Sequence, residues 1–195
     1  VNITQATALN VFVNPNNPSC FGQCNGLAAA AAIGGTPPYT YNWTGGGGNL
    51  PTSNPLCAGN YGVSITDANG CVASSSVNIM NPPALTTNIT SINGTCGTSC
   101  SGSAIINVFN GNAPYNISST GPVNINTLNP TNLCAGIYTM FATDQNTCTA
   151  SAQVIITEPP VLTASITSTG SITCNGGNNG FANVSATGGT PTYSY

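Results

Sequence analysis

The sequence predicts an all-β protein built from tandem antiparallel β-sandwich repeats of about 77 residues, stapled by disulfides and arranged as a rod. Two observations support this prediction. The first is a set of short alternating apolar runs separated by turn signals, a pattern typical of sandwiches. The second is that four cysteines return 76 or 77 residues later: Cys20, Cys24, Cys57 and Cys71 are followed by Cys96, Cys100, Cys134 and Cys148. A period of this size indicates an array of small domains.

Two proline pairs, Pro82-Pro83 and Pro159-Pro160, mark the expected boundaries between repeats. They divide the chain into copy 1 (7–83), copy 2 (84–160) and the start of copy 3 (161–195). Residues 1–6 are similar to the closing segment of a repeat, so we expect them to end a preceding copy. A joint of two prolines is short and stiff, and each repeat is expected to add on the order of 30–40 Å to a rod.

One strand of the pattern is predicted at residues 27–33. Alanines 28 to 32 favour a helix by propensity alone. The corresponding stretch of copy 2 contains Ile105, Ile106 and Val108, which favour a strand. The alternate positions Ala28, Ala30 and Ala32 are therefore predicted to face the core of a sandwich, where small side chains leave room for large partners.

The next predicted strand carries Tyr39, Tyr41 and Trp43, which share one face because they are spaced by two residues. We expect these aromatic side chains to fill the core opposite the alanines. The alternative is an exposed aromatic ladder that binds a sugar ring. Copy 2 has no Trp and does not preserve the ladder, which argues against a binding site.

The motif Leu56-x-x-Gly59-x-Tyr61 resembles the tyrosine corner of immunoglobulin-like sandwiches, and Tyr138 occupies the same position in copy 2. Residues 61–65 then alternate as a strand, and Asn69-Gly70 predicts a two-residue hairpin. Asp67 stands at the entry to this turn, as Asp144 does in copy 2. We expect both carboxylates to accept backbone hydrogen bonds there.

Composition excludes several functions. The chain contains no Lys, Arg or His, and its only carboxylate side chains are those of Asp67, Asp144 and Glu158. Nucleic-acid binding requires cations that neutralise phosphates. Familiar acid–base catalysis requires His, Lys or paired carboxylates. We therefore expect no enzyme activity, no nucleic-acid partner and no cofactor. Residues 27–33 form the longest apolar stretch, which is too short to span a membrane.

Nine cysteines at regular spacing favour an oxidising, extracellular setting. A zinc site built on Cys20-x3-Cys24 is the alternative. It is disfavoured because the two remaining cysteines of that copy, Cys57 and Cys71, lie 14 residues apart instead of forming a second close pair.

Together, several phrases of the sequence resemble the SprB repeat. They include Cys174-Asn175-Gly176-Gly177-Asn178, Gly188-Gly189-Thr190-Pro191, Tyr39-Thr40-Tyr41-Asn42-Trp43 and Thr66-Asp67-Ala68-Asn69-Gly70-Cys71. The resemblance runs through essentially the whole chain in register. It implies a very large cell-surface adhesin filament, exported by the type IX secretion system, attached to the outer membrane and moved by gliding machinery.

The family pattern usually has Ser at the positions of Cys57 and Cys134, and one cysteine near the start of the repeat. Copy 3 follows this plainer pattern, since Asn178 replaces the second cysteine. The comparison implies a common pair, Cys20–Cys71 and Cys96–Cys148, and an added pair, Cys24–Cys57 and Cys100–Cys134. The alternative pairing in copy 1 is Cys20–Cys57 with Cys24–Cys71.

The leading functional hypothesis is a structural stalk whose partners are further repeats of the same chain, with surface polysaccharide or substratum bound by a separate tip. One alternative is a subunit of a self-assembling extracellular fibre or sheath. The other is a glycan-binding module that uses Tyr39, Tyr41 and Trp43.

Overall fold

A computed structural model of the chain describes residues 5, 7–45, 48–97 and 99–194. The expected end of a preceding repeat, residues 1–6, lies outside the described residues apart from Gln5. The described residues form strands, turns and loops with no helix, and every strand pairing is antiparallel. The predicted all-β class is therefore confirmed.

Copy 1 contributes six strands: β1 (Asn10–Asn16), β2 (Gly26–Ile33), β3 (Thr40–Trp43), β4 (Thr52–Leu56), β5 (Gly59–Thr66) and β6 (Val72–Ile79). Copy 2 repeats the series: β7 (Thr86–Ile92), β8 (Gly102–Phe109), β9 (Asn116–Thr120), β10 (Thr131–Leu133), β11 (Gly136–Thr143) and β12 (Thr149–Ile156). Copy 3 supplies β13 (Thr163–Gly170) and β14 (Phe181–Thr187).

Each of the first two copies forms two three-stranded sheets. In copy 1 the orders are β1-β2-β4 and β3-β5-β6, and in copy 2 they are β7-β8-β10 and β9-β11-β12. The third copy forms a two-stranded sheet of β13 and β14. Consecutive strands β5 and β6 pair along their full length, from Gly59 opposite Ile79 to Thr66 opposite Val72.

The alanine stretch is a strand, β2, and not a helix. Ala28 and Ala30 are buried and Ala32 is partly buried, whereas Ala29 and Ala31 point away from the core. Large side chains from the opposite sheet fill the space beside these alanines, among them Trp43 and Ile65. Burying apolar surface of this kind is the dominant stabilising contribution in a domain of this size.

The core of copy 2 keeps the pattern with different side chains. Ile106 replaces the small Ala30, and Ser119 stands where copy 1 has Trp43. The N–H of Ile125 donates to the Ser119 hydroxyl at 2.9 Å, and the Ile125 side chain is buried in the core. Copy 2 thus supplies from a loop part of the apolar volume that Trp43 supplies in copy 1.

By its internal contacts the chain divides into two compact units. Unit 1 contains copy 1 together with two short segments of copy 2, Asn110–Pro114 and Asp144–Cys148. Unit 2 contains Thr86–Phe109, Tyr115–Thr143 and Thr149–Tyr195. Within the described residues, no helix has the length and apolar character needed to cross a bilayer.

Candidate functional site: the aspartate turns and the cysteines

The carboxylate of Asp67 organises the turn between β5 and β6. Its Oδ1 atom accepts hydrogen bonds from the backbone N–H groups of Asn69 at 2.9 Å and Cys71 at 2.8 Å. Its Oδ2 atom accepts from the N–H of Thr36 at 2.9 Å. The N–H of Ala68 donates to the Thr36 carbonyl, so the turn is bound to the loop after β2 from both directions.

Copy 2 repeats this arrangement with Asp144. Its carboxylate accepts from the N–H groups of Asn112, Asn146 and Cys148, at 3.0, 2.9 and 2.9 Å. Both aspartates are buried, with 6% and 5% of their surface exposed. Each carboxylate therefore satisfies three backbone N–H groups and stabilises the turn in which it lies.

The hydrogen bonds favour the ionised form of both side chains. The pKa of Asp67 is lowered, chiefly by the Thr36 N–H, with burial opposing and the Cys71 and Asn69 N–H groups adding to the decrease. For Asp144, burial is the largest influence and raises the pKa, but the three backbone donors outweigh it and the pKa is lowered. Each turn therefore contains a stable carboxylate without a cationic partner.

Two residues with positive φ shape the loop that receives each aspartate. In copy 1 they are Gly34 and Gly35, with φ of 77° and 66°. In copy 2 they are Asn110 and Gly111, with φ of 61° and 69°. Asn tolerates the left-handed region better than most residues, so the altered phrase in copy 2 keeps the same backbone.

The tyrosine corners are present in both copies. The Tyr61 hydroxyl donates to the Cys57 carbonyl at 3.1 Å, and the Tyr138 hydroxyl donates to the Cys134 carbonyl at 3.1 Å. Tyr138 is fully buried, and the loss of solvation raises the pKa of its hydroxyl. These bonds fix the start of β5 and of β11, as in immunoglobulin-like sandwiches.

The aromatic residues considered as a glycan site belong to the core of copy 1. Trp43 is 5% exposed, and its Nε1–H donates to the Leu50 carbonyl at 3.0 Å. Tyr39 and Tyr41 pack against the same core, and the Tyr39 hydroxyl donates to the Gly34 carbonyl at 2.7 Å. Because Trp43 is buried and both tyrosines are partly buried, the three rings do not form an open ladder.

The structure contains three disulfides among the described residues: Cys20–Cys148, Cys24–Cys57 and Cys100–Cys134. The last two join the same cysteines as the added pair expected from the family comparison. The first joins residues 128 positions apart, one in copy 1 and one in copy 2. Cys71, Cys96 and Cys174 are free and exposed.

The expected bonds Cys20–Cys71 and Cys96–Cys148 are corrected by this connectivity. Cys20 lies in the loop after β1. In this loop the Asn17 side chain accepts a hydrogen bond at 2.9 Å from the N–H of Met80, which follows the C-terminal end of β6. Cys71 precedes the N-terminal end of β6. An eight-residue strand spans about 26 Å. A disulfide needs Cα atoms about 4.4–6.8 Å apart, so the two cysteines of one copy are too distant.

The same relationship explains the correction in copy 2. Thr157 follows the C-terminal end of β12 and forms two hydrogen bonds with the loop that carries Cys96. Its N–H donates to the Asn93 side chain, and its carbonyl accepts from the Gly94 N–H. Cys148 precedes the N-terminal end of that strand. Within the described residues, no group of three or more His, Cys, Asp and Glu side chains is placed to hold a metal ion.

These features define a class: tandem, disulfide-bonded, immunoglobulin-like β-sandwich repeats. The SprB repeat model matches the chain in two regions, residues 13–48 and 166–195. The resemblance to the SprB repeat noted from the motifs is therefore confirmed for these two regions. None of the curated proteins searched matches it in sequence.

Three solved structures are similar to this chain at low sequence identity. A C-terminal 282-residue fragment of intimin, crystallised with the intimin-binding domain of the translocated intimin receptor, is 14% identical with a TM-score of 0.38. The match covers 83% of this chain and 67% of the fragment. The N-terminal four Ig domains of Dscam1 isoform 6.44 are 11% identical with a TM-score of 0.33, and the match covers 68% of this chain and 40% of that one. A further Dscam isoform structure is 12% identical with a TM-score of 0.31, and the match covers 79% of this chain and 46% of that one.

Proposed function

We propose that the chain is a segment of the stalk of a large secreted cell-surface adhesin, with copies bounded at 7–83, 84–160 and 161–195. The observation that carries this proposal is that the groups suited to chemistry or recognition are used inside the fold. Asp67 and Asp144 satisfy backbone donors, and Trp43 fills the core. The match to the SprB repeat supports a role as an adhesin repeat at the cell surface.

The exterior suits a passive spacer. Only three side chains of the chain are formally charged, so its polar surface comes mainly from Asn, Thr, Ser and Gly. A surface of this kind has little salt-dependent attraction for other molecules. In the proposed role the array sets the distance between the cell and a separate adhesive tip, which contacts polysaccharide or substratum.

The family resemblance supports the finer part of the proposal. Export through the type IX system, attachment at the outer membrane and movement by gliding machinery are properties of SprB-repeat adhesins that we extend to this protein. Nothing in the proposal requires an enzyme activity, a cofactor or a nucleic-acid partner.

Electron microscopy of intact cells labelled with an antibody to one repeat tests this function. Label along thin filaments that project from the cell supports the stalk. Label in a continuous coat, or on free fibres shed from cells, contradicts it and favours a self-assembling sheath. Dilution provides the control, because a covalent stalk keeps its length and an assembled fibre dissociates.

A further inference from the structure

The bond between Cys20 and Cys148 connects two successive copies. Cys20 is buried, with 6% of its surface exposed, and the Cα atoms of the pair are 5.5 Å apart. Both cysteines lie in unit 1, which includes the segment Asp144–Cys148. The link is therefore an internal part of a compact unit, and it joins the start of one copy to the aspartate turn of the next.

Cys71 is the counterpart of Cys148 in copy 1. The Cys71 N–H donates to Asp67 Oδ1 at 2.8 Å, and the Cys148 N–H donates to Asp144 Oδ1 at 2.9 Å. Each cysteine carbonyl accepts from the N–H of its aspartate at 3.0 Å. The aspartate turn thus presents the two cysteines on the same backbone, yet Cys71 is a free, exposed thiol.

Cys96 is the counterpart of Cys20 in copy 2. The Cys96 carbonyl accepts from the Ser99 N–H at 3.4 Å, as the Cys20 carbonyl accepts from the Gln23 N–H at 3.2 Å. Cys174 makes the corresponding bond with Gly177 at 2.9 Å. Cys96 and Cys174 are also free and exposed. Cysteines therefore occupy two equivalent positions, one near the start of a copy and one after the aspartate turn, and the observed bond joins a start cysteine to the turn cysteine of the next copy. The free cysteines are those whose counterpart under this rule is not among the residues of this chain.

We propose that Cys71 and Cys96 are crosslinking sites for adjacent copies of the repeat. In an array with further copies on both sides, Cys71 bonds the start cysteine of the preceding copy. Cys96 bonds the cysteine after the aspartate turn of the following copy. Every copy is then linked covalently to the next by the bond that Cys20 and Cys148 form here.

Formation of each link oxidises two thiols to one disulfide and releases two protons and two electrons. A protein or small-molecule disulfide accepts the electrons by thiol–disulfide exchange. One thiolate attacks it to give a mixed disulfide and a leaving thiol, and the second thiolate displaces the other sulfur. Both reacting thiols are accessible before the copies are joined, as the exposure of Cys71 and Cys96 shows.

The proposed crosslinks limit how far the array can stretch under load. This inference adds a mechanical property to the proposed stalk, and its biological purpose rests on that proposed function. The bond at Cys20–Cys148 bypasses the 128 positions between these residues. The other two disulfides lie within this segment and already restrain 33 and 34 of these positions, so 61 positions remain that can extend. When the chain is pulled from its ends, loss of the bond therefore adds about 200 Å of extension at about 3.4 Å per residue.

Cleavage before aspartate tests the connectivity in the full chain. Thiols are blocked at acidic pH, the protein is denatured, and cleavage before Asp67 and Asp144 gives fragments 1–66, 67–143 and 144–195. The observed pairing predicts that 1–66 stays joined to 144–195 while 67–143 separates. Retention of all three fragments in one species indicates pairing within copies and overturns the proposal.

Two cysteine variants provide a matched comparison. Cys20→Ser should expose Cys148 as a new thiol and add about 200 Å of extension in single-molecule pulling. Cys71→Ser should remove one thiol and leave the extension unchanged. A new thiol at position 20 in Cys71→Ser would contradict the proposal.

Insertion of a second copy of residues 84–160 between Pro160 and Val161 tests the periodicity. The original chain has three free thiols. The extended chain is expected to have three as well, because Cys96 pairs with the inserted counterpart of Cys148. Five free thiols would show that the link does not recur. These results are independent of cell labelling, so the crosslink and the stalk function can fail separately.

Discussion

The N–H of Thr36 donates to Asp67 Oδ2 at 2.9 Å, although the two residues are 31 positions apart in the sequence. This bond connects the loop after β2 in one sheet with the β5–β6 turn in the other. Asn112 and Asp144 form the same connection in copy 2. In a chain without Lys, Arg or His, backbone N–H groups replace the cations that often stabilise buried carboxylates.

Acid should destabilise both repeats. Because the pKa values of Asp67 and Asp144 are lowered in the folded state, their contribution to stability is complete above the unfolded value of about 3.9. It is lost as the pH falls through the folded pKa, since the unfolded chain binds the protons more readily. We expect urea midpoints to be flat from pH 5 to 7 and to decrease below about pH 4.

The double variant Asp67→Asn, Asp144→Asn is the control for this pH dependence. It should be less stable at pH 7 and show a weaker decrease in acid. An unchanged acid decrease in the variant would show that the two aspartates do not cause it.

The two tyrosine corners should differ in energetic weight. Tyr138 is fully buried, and Tyr138→Phe leaves the partly buried Cys134 carbonyl without its donor, at an expected cost of about 1–3 kcal/mol. Tyr61→Phe affects a more exposed carbonyl that water can reach, so a loss of about 0.5–1.5 kcal/mol is expected. Hydrogen exchange of the β5 and β11 amides measures both. Equal losses would show that burial does not set the difference.

Gly35 and Gly70 separate steric conflict from backbone strain. Both have positive φ, 66° and 80°. A Cβ atom on Gly35 would lie 2.9 Å from Asp67 Oδ2, whereas one on Gly70 meets nothing within 4 Å. Gly70→Ala should therefore cost only the backbone strain, about 1–2 kcal/mol.

Gly35→Ala adds the displacement of the aspartate to the same strain. Trp43 fluorescence monitors the denaturation of copy 1, and it should show a larger loss of unfolding free energy for Gly35→Ala than for Gly70→Ala. Equal losses would mean that the aspartate turn adjusts without cost.

Trp43 reports on the glycan alternative. It is the single tryptophan of the chain and is 5% exposed. We expect acrylamide to quench its fluorescence weakly in the native protein and strongly after denaturation. Soluble polysaccharides should leave the emission unchanged. Strong native quenching that a polysaccharide relieves would restore the binding hypothesis.

Sequence periodicity predicted the elements well because their causes are local. The alternation of buried Ala28 and Ala30 with less buried neighbours specified the buried face of β2, although alanine favours helices. The corner at Tyr61 depends on short-range backbone geometry and is present. A hairpin also joins β5 to β6, but the predicted two-residue turn is wrong. The Asp67 N–H donates to the Cys71 carbonyl at 3.0 Å, which leaves a three-residue loop, 68–70, with Gly70 at a φ of 80°. The burial of Ile125 was not predicted, because a loop residue without periodicity gives no signal.

The sequence by itself determined the all-β class, the buried face of β2 and the positions at which cysteines recur. It could not determine which copy provides the partner of Cys20, because Cys71 and Cys148 occupy equivalent positions in similar local motifs. Only the tertiary structure distinguished them. The loop of Cys20 and the turn of Cys71 lie at opposite ends of β6, and a strand about 26 Å long keeps them from bonding, whereas Cys148 is 5.5 Å away between Cα atoms.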